Sequence, residues 1–149
     1  MNKKESMKYA IMDAKEFYTI AAIYYKSRNI EEFCYHPFIT NISFSCELLL
    51  KIMLYLLGNK IKDITNKQHN LYDLFYMLPL NAQLTIKNEL ISYRFERELK
   101  RGANIFVQIR YGSLDILFGR NSKYEIDPTF LKKFCESLIN YIDSLNIKK

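Results

Sequence analysis

Histidine, cysteine, glycine and proline are all scarce in this chain, and tryptophan is absent. The two histidines, His36 and His69, and the three cysteines, Cys34, Cys46 and Cys135, include no close pair. A structural zinc site needs several such ligands at short spacings, and a disulfide framework needs an even, clustered set, so neither organises this protein. No metal and no cofactor is expected. Cys46 and Cys135 fall among apolar neighbours and read as small core residues rather than reactive thiols. Four glycines and three prolines are too few for a chain of many tight hairpins, which points to helices joined by short loops. The opening MNKKESMKYA runs into a mixed segment, not an apolar stretch closed by small residues, so no signal peptide is expected and the location reads as cytoplasmic.

What is present is apolar material. It makes up 49% of the 149 residues, enough for a single domain over 1–149 to bury a core. The greasiest run, FITNISFSCELLLKIMLYLLG at 38–58, approaches the roughly 20 residues of a membrane span. Glu47 and Lys51 interrupt it, and each would cost roughly 3 kcal/mol at the centre of a bilayer. With Asn41, Ser43 and Ser45 added, the run reads as a helix buried in a water-soluble bundle, and no membrane partner is expected. The net charge of +6 permits binding to RNA or to an acidic protein without requiring either.

Helical periodicity recurs along the chain. Met7, Ala10, Ile11, Ala14, Phe17, Tyr18, Ala21, Tyr24 and Tyr25 share one face of a first helix. A loop ends at Pro37, which suits the first turn of a second helix running to about Leu57, with Gly58 and Asn59 as its stop. Asn70 caps a short helix with Asp73 in capping-box position, closed by Pro79. Asn81 then caps a helix carrying Leu84, Ile86, Leu90, Ile91, Phe95 and Leu99 down to Gly102, and 103–113 continues it for a turn or two. A loop at 117–126 precedes a last helix, with Asp127 at its cap and Pro128 in its first turn. Long helices with short links close as an antiparallel up-and-down four-helix bundle, here with one additional short helix. Ten phenylalanines and twelve tyrosines exceed what one small core needs. Surface tyrosines suit a subunit interface, so a two-fold homodimer is expected.

Three short motifs follow in order: Glu47, Leu48, Leu49, Leu50 and Lys51 on the second helix; His69, Asn70, Leu71 and Leu74 opening the short one; and Phe106 ahead of Arg110 and Tyr111. In this order they resemble the HEPN superfamily, the higher eukaryotes and prokaryotes nucleotide-binding domain, over roughly residues 7–145. The resemblance implies an all-α bundle, frequently dimeric, and a setting in toxin–antitoxin, abortive-infection or other phage-defence systems, where the best-known activity is metal-independent RNA cleavage. Catalytic members are similar in placing a His four to six residues after a late Arg. Here no histidine follows His69, and Arg28 with His36 is too widely spaced and too early. The standard ribonuclease pair is absent, so the expected function is a non-catalytic module binding RNA or an antitoxin-like partner protein. The alternative is a divergent endoribonuclease using Arg110, Tyr111 and Glu47, with His69 as a further candidate.

Each of these residues also has a structural reading. Glu47 pairs with Lys51 at i, i+4 if exposed, or, if buried, takes Arg110 as its mate across the bundle. His69 serves as a general acid or simply hydrogen-bonds a loop, and His36 is a loop residue. Arg110, beside Tyr111, suits core pairing and phosphate binding equally. Lys87, Arg94, Arg97 and Arg101 fall at helical spacings along one side, a run about 20 Å long that matches a phosphate backbone. Interleaved Glu89, Glu96 and Glu98 favour a solvated mixed-charge face, with Arg94–Glu98 and Glu96–Lys100 as surface pairs.

Overall fold

A computed structural model describes residues 1–26, 35–105 and 126–145 of the chain. Seven helices are found among them: α1 (Lys3–Lys26), α2 (Tyr35–Leu56), α3 (Ile61–Asn66), α4 (Leu71–Tyr76), α5 (Leu80–Asn88), α6 (Phe95–Arg101) and α7 (Pro128–Ser144). The protein is all-α, as its scarcity of turn formers implied. Arg28, Cys34, Phe106, Arg110, Tyr111 and Arg120 lie outside the described residues.

The apolar run at 38–58 forms α2, the helix that α1, α3, α4 and α7 all pack against. Phe38, Ile39, Ile42, Cys46, Leu49, Leu50, Met53 and Leu54 are fully buried along it. By length and composition this helix is long and apolar enough to cross a membrane, and 61% of its most apolar window is buried inside the fold. Its serines are satisfied internally: Ser43 Oγ donates to the Ile39 carbonyl at 2.6 Å and Ser45 Oγ to the Ala14 carbonyl at 2.6 Å. The stop is as expected. Gly58 has φ +94°, its N–H reaches the Tyr55 carbonyl and Asn59 N–H reaches that of Leu54, the paired bonds of a Schellman ending. Tyr35 is the first described residue of α2, so His36 lies within the helix and not in a loop. Pro37 fits there because early helical N–H groups have no intrahelical acceptor.

Helix α1 runs antiparallel to α2, since contacts pair Ala14 with Ser45, Phe17 with Phe44 and Tyr25 with Phe38 in descending order. It is antiparallel to α7 for the same reason, with Lys15 bonded to Asp143 and Tyr25 to Thr129. Asp127 caps α7 as its sequence implied, accepting from Thr129 N–H at 2.8 Å.

The single helix expected over 81–102 is instead two. Helix α5 begins at Leu80, with Pro79 rather than Asn81 at its boundary, and ends at Asn88; α6 begins only at Phe95. At 100° per residue a continuous helix would turn Phe95 about 180° away from Ile86. Ile86, Leu90, Phe95 and Leu99 are all buried, so the chain has to break between them. Leu84 and Ile91, expected to pack inward, are exposed.

Candidate functional site

Glu47 lies on the buried side of α2, flanked by Cys46 and Leu49, and is 3% exposed. A bare carboxylate is costly there, so its oxygens need charged or N–H partners. Lys51 Nζ donates to Oε1 at 2.7 Å from one turn further along α2, the favourable order for such a pair. The Nδ1 atom of His69 stands 2.9 Å from both Oε1 and Oε2. A carboxylate only accepts, so Nδ1 donates a proton to it.

His69 reaches this position through the turn between α3 and α4. Gln68 adopts φ +51°, the left-handed region, which reverses the chain at a local cost of roughly 1 kcal/mol. Asn70 then caps α4, its Oδ1 accepting from Asp73 N–H at 2.9 Å, as the motif had implied. The Leu71 N–H bonds to the Ala103 carbonyl at 3.0 Å, tying the start of α4 to the chain after α6. The side chains of His69 and Lys51 are 40% and 27% exposed. The site is therefore a sunken carboxylate that holds an imidazole and an ammonium at the surface.

This arrangement combines two expectations that had been set against each other: the Lys51 pair forms, and Glu47 is nonetheless buried. Arg110, the mate expected across the bundle, lies outside the described residues, as does Tyr111. No family model, curated protein or solved structure matches the chain.

The four cations expected to line one side are dispersed by the break after α5. Lys87, on α5, points into an aromatic cluster, with Nζ 4.8 Å from the centre of the Tyr76 ring and 5.6 Å from that of Phe95. Arg94 stands exposed at the N-terminal boundary of α6. Arg97 and Arg101, within α6, lie 3.1 and 3.7 Å from the same oxygen of Glu98.

Glu98 was expected to be a surface partner of Arg94, but it is buried, and its other oxygen accepts the Asp127 N–H at 3.0 Å. It thereby fastens α6 to the start of α7. A signal for this was available, because Glu98 sits three residues after Phe95 and next to Leu99, on the apolar side of its helix.

At Glu96 the sequence reading found the Lys100 pair but missed the two tyrosines. Glu96 accepts from Tyr72 Oη at 2.6 Å and also from Tyr76 Oη, while Lys100 Nζ lies 3.8 Å away as the expected i, i+4 pair. The two tyrosine bonds hold the Glu96 carboxyl below its ordinary value of 4.5, against the opposing effect of burial. In return the Tyr76 hydroxyl is pushed up, by burial first and then by Glu96.

Cys46 and Cys135 are buried free thiols, as expected of core residues. Burial, and then the neighbouring Cys135, push the Cys46 thiol well above its ordinary value of 9.0, which keeps it protonated and unreactive. Among the described residues no three His, Cys, Asp or Glu side chains gather as metal ligands would.

Proposed function

We propose that this chain is a non-catalytic, HEPN-like interaction module: an up-and-down four-helix bundle with an added short helix, working as a cytoplasmic homodimer in a bacterial defence or toxin–antitoxin setting. The observation that carries this reading is the meeting of two of its three motifs at one carboxylate. Glu47 and Lys51 of the second helix and His69 of the His-Asn-Leu segment form a single bonded group, which gives the motif order a physical reason: the residues hold α2 to the start of α4. A protein partner is favoured over RNA, because Arg97 and Arg101 are engaged by Glu98 and Lys87 by aromatic rings, so that these cations form no continuous row for a phosphate backbone among the described residues.

One observation favours the second reading, a divergent metal-independent endoribonuclease using Arg110, Tyr111 and Glu47. The Glu47 carboxylate accepts from Nδ1 of His69 and so orients a half-exposed imidazole, which is how an acid–base histidine is held in place. Both readings meet in one experiment: labelled RNA and transfer RNA incubated with the protein and with its His69→Ala and Arg110→Ala variants. The module reading expects no cleavage, and only weak RNA binding that Arg94→Glu and Arg97→Glu leave nearly unchanged. Cleavage abolished by either alanine variant would replace it with the second reading.

A further inference from the structure

We propose that the groove between the first half of α1 and the second half of α2 binds an aliphatic carboxylate, its head on Lys51 and Lys3 and its chain along the apolar wall. The groove has a volume of about 470 Å³, which lies within the range of small-ligand sites. The antiparallel register that joins Ala14 to Ser45 continues toward the start of α1. It brings Ala10 beside Leu48, Met7 beside Ile52 and Lys3 beside Tyr55, all of them in the lining.

Charge along the groove selects the ligand. Lys51 donates to Glu47 Oε1 at 2.7 Å, but an ammonium has three donors, and Glu47 is itself engaged by His69 Nδ1 at 2.9 Å. Lys51 lines the groove and Glu47 does not. Lys3 is exposed about one turn further toward the same end. Two ammonium groups thus flank one position, which suits a carboxylate. Asp13 stands at the other end, about 15 Å from Lys3 along α1. A polyphosphate or a nucleic-acid strand laid along the groove would run from the cations onto this acid. Between the ends the wall is Met7, Ala10, Leu48 and Ile52, whose side chains offer no donor to a base or sugar, and the Ser6 hydroxyl is engaged by the Asn2 carbonyl at 3.1 Å. A single anionic head on an unbranched aliphatic chain meets all three regions.

The head also reaches the Glu47 group. A carboxylate on Lys51 competes with Glu47 for the ammonium protons, so occupation of the groove is felt at His69 through the acid that both cations share. This site is independent of the module reading and adds a small-molecule ligand to it.

Titration of the full chain, with isotope-labelled methionine methyls and histidine rings, by octanoate and by decanoate at neutral pH tests the site by NMR. Met1 and Met7 line the groove, whereas Met12, Met53 and Met77 do not. The expected result is saturable movement of the Met1 and Met7 methyl signals alone, accompanied by the His69 ring signals, with binding about fourfold tighter for each added methylene. Lys3→Glu, at an exposed position that leaves the fold intact, should weaken decanoate about threefold or more, and Ala10→Phe should fill the groove and abolish binding. Adenosine monophosphate and vesicles of phosphatidylglycerol should leave Met1 and Met7 unmoved. Decanoate that moves every methionine methyl alike, or binds both variants as well as the parent, is adsorbing to the surface and overturns the site. Movement of Met1 and Met7 with a still His69 takes the head off Lys51 and overturns it too. A response to the nucleotide or to the vesicles with none to decanoate would give the groove to that chemistry instead.

Discussion

A carboxylate that is 3% exposed persists in the most apolar helix of this protein because both oxygens are occupied, Oε1 by Lys51 and the pair together by His69 Nδ1. Its partners both reach water, so removing the acid strands no deeply buried cation. The cost of Glu47→Ala should therefore be that of lost charged hydrogen bonds, about 1–3 kcal/mol in urea-induced unfolding, and not the larger penalty of an orphaned buried charge. Glu47→Gln should recover only part of this, since an amide offers one acceptor where the carboxylate offers two. Unchanged midpoints in both variants would remove Glu47 from any account of stability. That Glu47 is buried was legible from Cys46 and Leu48–Leu50 around it. That His69 is its mate was not, because a separation of 22 residues is closed only by α3 and the reversal at Gln68.

At the scale of elements, the decisive feature is the division of one expected helix into α5 and α6. The apolar positions contain the reason, since Ile86 and Phe95 cannot face one core from one continuous helix. No glycine or proline marks the break, so sequence punctuation alone does not reveal it. Once α6 is separate, something has to hold it. Glu98 ties it to α7, and Glu96 ties it to α4 through Tyr72 and Tyr76.

This second tie has a pH window. The folded Glu96 carboxyl binds its proton more weakly than in the unfolded chain, so its contribution is present above the ordinary carboxyl value of 4.5 and is lost as pH falls below it. The Tyr72 and Tyr76 hydroxyls hold their protons more tightly when folded, so their contribution is present below 10.0 and is lost as pH rises through the raised folded values. Chemical denaturation across that range should show Tyr72→Phe losing stability relative to the parent at neutral pH, with the difference shrinking toward either extreme. A difference independent of pH would mean that the ring, not the hydroxyl, does the holding.

For the whole molecule, α2 is enclosed because α1 approaches it closely. Ala14 and Ala21 are fully buried where the two helices meet, and the Ala14 carbonyl accepts from Ser45 Oγ, which itself accepts from Cys135 Sγ at 3.2 Å. This polar relay crosses α1, α2 and α7 and demands small side chains at the crossing. Ala14→Leu should cost about 1–3 kcal/mol by overpacking, with a lower thermal midpoint and little change in helix content at low temperature. An unaltered midpoint would show that the contact has slack.

Composition and periodicity by themselves determined that this chain is helical, that 38–58 is its central helix, where that helix stops and where the last one starts. These are properties of single segments, set by 3.6-residue spacing and by the chemistry of caps. The tertiary structure alone decided which carboxylates became sites. Glu47, Glu96 and Glu98 each draw partners from other helices or turns, and whether a charge sits in water or under a core depends on neighbours that no local spacing specifies.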